Sequence, residues 1–102
     1  MDFNNLPDLF NCNVIVVGLG YVGLPLAAEF GKIKDCFLTK KILNRKTIGF
    51  DLNQKRIDQL QIGIDTNKEL SKQEIESSLN LKFTTETEEI KAGDVFIITV
   101  PT

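Results

Sequence analysis

The sequence predicts an α/β fold built on a parallel sheet, and three observations predict it. The first is Val14-Ile15-Val16-Val17, an unbroken apolar run that reads as a strand buried on both faces, the mark of a central parallel strand. The second is a glycine turn, Gly18-x-Gly20-x-x-Gly23, which leaves that strand and passes directly into the helix-like segment Leu24–Phe30. The third is another buried-type run, Asp94–Val100, reached after further alternation of strand-like and helix-like segments. Such alternation yields parallel strands with helices as the crossovers.

Residues 1–12 read as a short lead-in, with one weak helical turn around Pro7-Asp8-Leu9-Phe10. Strand one covers Asn13–Val17. Helix A runs from about Val22 to Lys32, and Pro25 is tolerated because N–H groups of a first helical turn have no intrahelical partner. Ala27 and Ala28 are small, as a helix lying close on a sheet requires. Residues 32–46 carry six basic side chains and one acidic one, with Phe37-Leu38 and Ile42-Leu43 interspersed. Connections in α/β units are usually about 2–6 residues, so this stretch either extends helix A or forms an inserted excursion. Its charge suits a partner or phosphate, or simply a solvated loop.

Strand two is Thr47–Phe50, followed by Asp51. Asn53 is placed as N-cap of a second helix, Gln54 to about Ile62, with Ile57 and Leu60 on one face and Gly63 as its stop. A loop, Gly63–Asn67, follows. Ser71-x-x-Glu74 has capping-box spacing for a third helix carrying Ile75 and Leu79 at i and i+4. Leu81–Thr84 is a short alternating strand, and Thr85-x-x-Glu88 offers a capping box for a brief helix that Gly93 ends. The last strand is Asp94–Val100. This βαβαβ order plus a fourth parallel strand is the first half of a Rossmann sheet, a truncated Rossmann fold with spatial order 3-2-1-4. That order puts the ends of strands one and four beside the switch-point crevice where ligands bind.

The glycines then acquire separate tasks. Gly18 permits the tight turn, Gly20 lets a pyrophosphate approach the backbone, and Gly23 brings the helix close to the sheet. The helix N-terminus offers unpaired N–H groups and partial positive charge to phosphates. An ordinary glycine-rich βα turn is the alternative, and the strand–turn–helix context argues for a dinucleotide. Asp51, ending strand two, is placed to accept hydrogen bonds from adenosine ribose hydroxyls and to repel a 2′-phosphate, which selects NAD over NADP; a capping or turn aspartate is the other reading. Arg56 falls on the first turns of the second helix, within reach of a cofactor phosphate or ribose or else solvated.

Composition excludes other classes. The chain has 102 residues, 25% of them charged, and a formal net charge of −2, so no electrostatic attraction to nucleic acid or acidic membranes is expected. No apolar run approaches the ~20 residues of a membrane span, and the first residues lack a secretory signal pattern, so a cytoplasmic location is expected. There is no histidine, and Cys12 and Cys36 are two thiols expected to be reduced and incidental. No metal site is expected.

From Asn13 to Thr102 the chain resembles the N-terminal part of the UDP-glucose/GDP-mannose dehydrogenase family. The resemblance rests on Gly18-Leu-Gly-Tyr-Val-Gly-Leu-Pro-Leu-Ala27, on Gly49-Phe-Asp51 with Arg56 five residues later, and on Phe96-Ile-Ile-Thr-Val-Pro-Thr102. Gly63–Glu69 and Leu81–Thr84 are similar to the branch that oxidises UDP-N-acetylhexosamines for polysaccharide synthesis. The resemblance implies NAD-dependent oxidation of a sugar C6 alcohol through the aldehyde to the carboxylate, two hydrides in all. It implies that Gly18, Leu19, Gly20, Tyr21, Val22 and Gly23 contact the pyrophosphate region. Asp51 and Arg56 hold the adenosine side, and Val100, Pro101 and Thr102 match the family's loop beside the cofactor. The family's catalytic cysteine has no counterpart here, and the basic insertion departs from the family pattern. The expectation is a cofactor-binding half-domain of a nucleotide-sugar 6-dehydrogenase, its catalytic and sugar-binding domains absent and the piece inactive alone. It is expected to form a homo-oligomer, with the strand Val95–Val100 exposing an apolar edge. A 3-hydroxyacid dehydrogenase and a non-catalytic NAD-sensing module are the rival readings.

Overall fold

The structure is a computed structural model that describes residues 12–35, 42–43 and 45–99. Residues 1–11 of the lead-in, with the helical turn expected around Pro7–Phe10, Cys36 and the segment Val100–Thr102 lie outside the described residues. Four parallel strands form the main sheet: β1 (Asn13–Val17), β4 (Lys46–Phe50), β5 (Leu81–Thr84) and β6 (Val95–Ile98), in spatial order β5-β4-β1-β6. Numbered among themselves these are 3-2-1-4, the expected half-Rossmann order. The register is fixed on both sides of β1, where Ile15 lies opposite Ile48 on β4 and Phe96 on β6.

The period of two along β1 explains the layers. Val14 and Val16 point to one face and join a buried cluster with Leu24 and Ala27 of α1 (Gly23–Phe30), Ile57 and Leu60 of α2 (Gln54–Gln61) and Ile75 of α3 (Lys72–Glu76). All three helices thus cover the same face. Ile15 is buried on the opposite face, which β6 lines with Phe96, 49% exposed; further along β6, Ile98 is 72% exposed. Gly49, opposite Val16, leaves room on the covered face: a Cβ there would sit 3.0 Å from Leu19 Cδ2 and 3.1 Å from Phe83 Cδ1.

Helix boundaries follow their caps. The Asn53 side chain accepts from Arg56 N at 3.1 Å, and Gly63, at φ +84°, turns the chain out of α2. Ser71 and Glu74 form the reciprocal capping box of α3. That helix is shorter than its pattern implied. It ends at Glu76, and Leu79, expected on its buried face, is exposed. The serines explain the stop. Ser77 Oγ donates back to Glu74 O at 2.8 Å, and Ser78 Oγ reaches across to Ala28 O at 2.7 Å, pulling the chain toward β5.

A second correction concerns Thr85. No capping box forms; Thr85 Oγ1 bonds Gln54 Oε1, and the segment Thr87–Ile90 is a single 3₁₀ turn with no side-chain cap. The basic stretch resolves in favour of an excursion. Its described ends, β2 (Lys34–Asp35) and β3 (Ile42–Leu43), pair antiparallel in a small separate sheet.

Candidate functional site

A cleft of about 420 Å³ opens at the C-terminal ends of β1 and β4, where the glycine turn meets the start of α2. The three glycines have unequal structural reasons. Gly18 has φ +95°, and a Cβ there would lie 2.5 Å from the Thr99 carbonyl oxygen. A Cβ on Gly23 would run into the Gly18 carbonyl oxygen. Both positions are therefore closed by the protein itself. Gly20 is different: a Cβ there meets nothing within 4 Å. The fold does not require glycine at this point, and what a side chain would fill is open cleft.

The turn is held from beneath on all sides. Gly18 N donates to Phe50 O at 2.8 Å, and Thr99 Oγ1 donates to the carbonyls of Gly18 (2.9 Å) and Val17 (3.2 Å). Leu19 sends its side chain into the core over Gly49, so only its backbone faces the cleft. Its N–H donates to Asp51 Oδ2 at 3.0 Å, and Asp51 Oδ1 accepts from Asn53 N at 3.0 Å. Asp51 thus serves as a turn aspartate and lines the cleft as well. A carboxylate has about four acceptor positions, so two bonds leave it free to accept more.

Arg56 is 8% exposed, which rules out the solvated reading. Nε and Nη2 donate to Leu19 O at 3.1 and 2.7 Å, and Nη1 donates to Asp65 Oδ1 at 2.7 Å. Three of its five N–H donors are engaged within the protein, and Arg56 still lines the cleft. Asp65 also accepts from the amides of Asn67 (3.0 Å), Glu69 (2.8 Å) and Leu70 (3.0 Å). Burial pushes its carboxyl up. The Arg56 hydrogen bond, the Leu70 and Asn67 amides and the Arg56 charge outweigh that, and the pKa falls below the usual aspartate value.

At the rim, α1 begins on Val22 with no side-chain cap, and Tyr21 and Val22 are exposed. Leu24 N donates to Gly20 O at 3.2 Å and Pro25 has no N–H, so what this helix start offers an anion is mainly the partial positive charge of its dipole. The structure therefore gathers Gly18, Leu19, Gly20, Tyr21, Val22, Asp51 and Arg56 around one cleft, while Gly23 is buried behind it. Val100, Pro101 and Thr102 are outside the described residues. The sequence reading missed Thr99, Thr66 and Asn67, all of which line the cleft. A hydroxyl ending an apolar strand and an Asp-Thr-Asn string after a helix-stopping glycine were the available signals.

Residues 12–102 match the UDP-glucose/GDP-mannose dehydrogenase family, NAD binding domain. The chain belongs to this family. It is 47% identical over 89 residues to a UDP-N-acetyl-D-glucosamine 6-dehydrogenase of Salmonella typhi, a match covering 87% of the chain and 18% of that relative. Among solved structures, a UDP-D-ManNAc dehydrogenase from Pyrococcus horikoshii superposes with TM-score 0.69 at 28% identity, over 86% of this chain and 20% of that one. The UDP-N-acetyl-mannosamine dehydrogenase Cap5O from Staphylococcus aureus gives TM-score 0.60 at 37% identity, over 88% and 20%. The chain thus spans about a fifth of the length of these relatives. The family decides against the 3-hydroxyacid dehydrogenase reading, and NAD is the cofactor of the domain. Among the described residues there is no group of three or more His, Cys, Asp or Glu side chains able to hold a metal, and no helix long and apolar enough to cross a membrane.

Proposed function

We propose that this chain is the N-terminal NAD-binding part of a nucleotide-sugar 6-dehydrogenase that oxidises the C6 alcohol of a UDP-N-acetylhexosamine to the uronate for polysaccharide biosynthesis. The observation that carries the cofactor site is Gly20. It is a glycine that the fold itself does not demand, facing open cleft beside an uncapped helix start. In this reading the backbone of residues 18–23 receives the pyrophosphate. Asp51 accepts from the adenosine ribose hydroxyls, which favours NAD because a 2′-phosphate beside this carboxylate would be repelled. Arg56 braces Leu19 and keeps two N–H donors that these bonds leave unused, which this reading assigns to the adenosine side. Val100, Pro101 and Thr102, which follow β6 in the sequence, are included in the site because they match the family's loop beside the cofactor.

NAD, when bound, supplies the hydride acceptor. The residues of this chain orient it; the catalytic and sugar-binding groups belong to further domains of a longer protein. A cytoplasmic location goes with this function, since nucleotide sugars are cytoplasmic substrates in polysaccharide synthesis, and a homo-oligomeric assembly is proposed from the exposed apolar side chains of β6.

Calorimetric titration of the chain with NAD tests the site. Weak binding is expected, collapsing in Asp51→Ala and in Gly20→Val; unaltered affinity in both variants would refute it. For the activity, the full-length protein should reduce NAD in the presence of UDP-N-acetylhexosamine, and absence of NADH formation would refute the substrate class.

A further inference from the structure

Across the glycine turn the bonded residues follow an order. Thr99 holds Gly18 from the β6 side, and Asp51 and Arg56 hold the N–H and C=O of Leu19 from the α2 side. The chain of bonds does not stop at Arg56. It continues to Asp65, whose carboxylate gathers the amides of Asn67, Glu69 and Leu70 into one turn. The turn is closed by Lys68 N donating to Asp65 O at 3.0 Å, with Lys68 at φ +57°, a left-handed conformation that a lysine rarely adopts unless its surroundings enforce it. Thr66 and Asn67 thereby stand at a fixed place on the cleft wall. Their side chains have no hydrogen-bond partner among the described residues, whereas the Asp65 carboxylate and the amides of Asn67, Lys68, Glu69 and Leu70 are bonded within the turn.

We propose that Thr66 and Asn67 are additional dinucleotide-binding residues that form the adenine end of the cleft, and that Asp65 is the positioning residue that holds them there. The proposal rests on the cofactor site put forward above, in which Asp51 marks the adenosine side. Thr66 and Asn67 line the same cleft as Asp51, and the Arg56–Asp65 bond ties their turn to Leu19, which Asp51 also holds. A carboxamide pairs a donor with an acceptor, and adenine offers the complementary N6 amino donor and N7 acceptor on one edge. The Thr66 hydroxyl both donates and accepts. Neither side chain is buried in the core, so replacing one leaves the fold intact.

The test uses this chain with NAD, ADP-ribose and nicotinamide hypoxanthine dinucleotide, in which an oxygen replaces the adenine amino group. Thr66→Val and Asn67→Ala are each expected to weaken NAD and ADP-ribose equally, by about two- to tenfold, the range of one or two net hydrogen bonds. The wild type should prefer NAD to the hypoxanthine analogue, and Asn67→Ala should abolish that preference. Asp65→Asn should weaken NAD by a larger factor in the wild-type background than in the double variant Thr66→Val/Asn67→Ala, because the part of its effect that runs through this turn is then gone while the part through Arg56 remains. An equal factor in both backgrounds would show that Asp65 acts through Arg56 alone and would overturn its positioning role. Wild-type affinity in Thr66→Val and Asn67→Ala, with Asp51→Ala still losing NAD, would overturn the proposal and leave the cofactor site standing. So would weakened binding with the base preference intact. If the wild type binds neither NAD nor ADP-ribose, the cofactor site itself fails and this inference with it.

Discussion

Arg56 and Asp65, nine positions apart, form an ion pair at 2.7 Å that is all but shielded from water. Its value lies in what each partner does besides. Arg56 uses two further donors on the Leu19 carbonyl, and Asp65 accepts from three backbone amides. Taking two charges out of water is costly, and such pairs hold only when the remaining lone pairs and protons are satisfied, as they largely are here. Removing one partner leaves the other charged and uncompensated. Asp65→Ala is therefore expected to cost about 3–5 kcal/mol, a large share of the roughly 5–15 kcal/mol by which a domain is stable. Urea unfolding followed by circular dichroism measures it. A loss under about 1 kcal/mol would mean the pair is far better hydrated than its geometry implies.

The same pair gives stability a pH dependence with a definite sign. The Asp65 carboxyl is depressed in the folded chain relative to its ordinary value. A depressed acid binds its proton more weakly when folded than when unfolded. Its contribution is thus complete above the unfolded-state pKa of about 3.9 and is lost as pH falls through the lower folded value. The stability gap between wild type and Asp65→Asn should stay constant from pH 8 to about pH 5 and narrow below that. Urea midpoints of both proteins across this range are the check. A gap that widens on acidification would contradict the assignment.

The glycines separate folding from binding. Gly23→Ala places a methyl group against the Gly18 carbonyl, and Gly18→Ala adds an unfavourable φ to a contact with Thr99. Both should destabilise the chain, by about 1–3 kcal/mol or more. Gly20→Ala meets open space and should leave the unfolding midpoint unchanged within about 0.5 kcal/mol. Its NAD affinity should nevertheless fall about tenfold or more, since one methyl group stands where the pyrophosphate must approach. Paired calorimetry and urea unfolding distinguish the three variants. Equal stability losses at all three positions would show that the spacing serves the turn alone.

How much of this was legible in the sequence follows from the range of the interactions. Strand β1, the glycine turn and the Asn53 and Ser71 caps were readable because each is decided within a few residues by periodicity, φ or a local hydrogen bond. The end of α3 was not, because Ser78 stops it by bonding Ala28 O, 50 positions away. Arg56 illustrates the same limit at the site. Its position on the helix was clear, but its engagement with Leu19, 37 positions away, exists only once α2 lies against the turn. Asp51 was read for the cofactor, and its bond to Leu19 N, across 32 positions, was equally out of sight. Site residues were found where a motif carries them. They were missed, as with Thr66, Asn67 and Thr99, where tertiary contacts bring them to the cleft.

The face of the sheet that α1, α2 and α3 do not cover leads to a last prediction. On β6, Phe96 and Ile98 are 49% and 72% exposed, and among the described residues β6 pairs with β1 alone. A parallel edge strand with apolar side chains and unpaired N–H and C=O groups is a template for another chain. Both side chains are already partly buried, so covering them in two copies is favourable, apiece, by less than the roughly 1.5–3 kcal/mol of a fully exposed side chain, which supports only weak association once the entropic cost is deducted. The 102-residue chain should therefore self-associate in sedimentation experiments as concentration rises. Phe96→Glu with Ile98→Lys should return it to a monomer without loss of the unfolding transition, because neither side chain is fully buried in the fold. A wild-type chain that sediments as a monomer throughout would show that this surface does not pair with a second copy of itself.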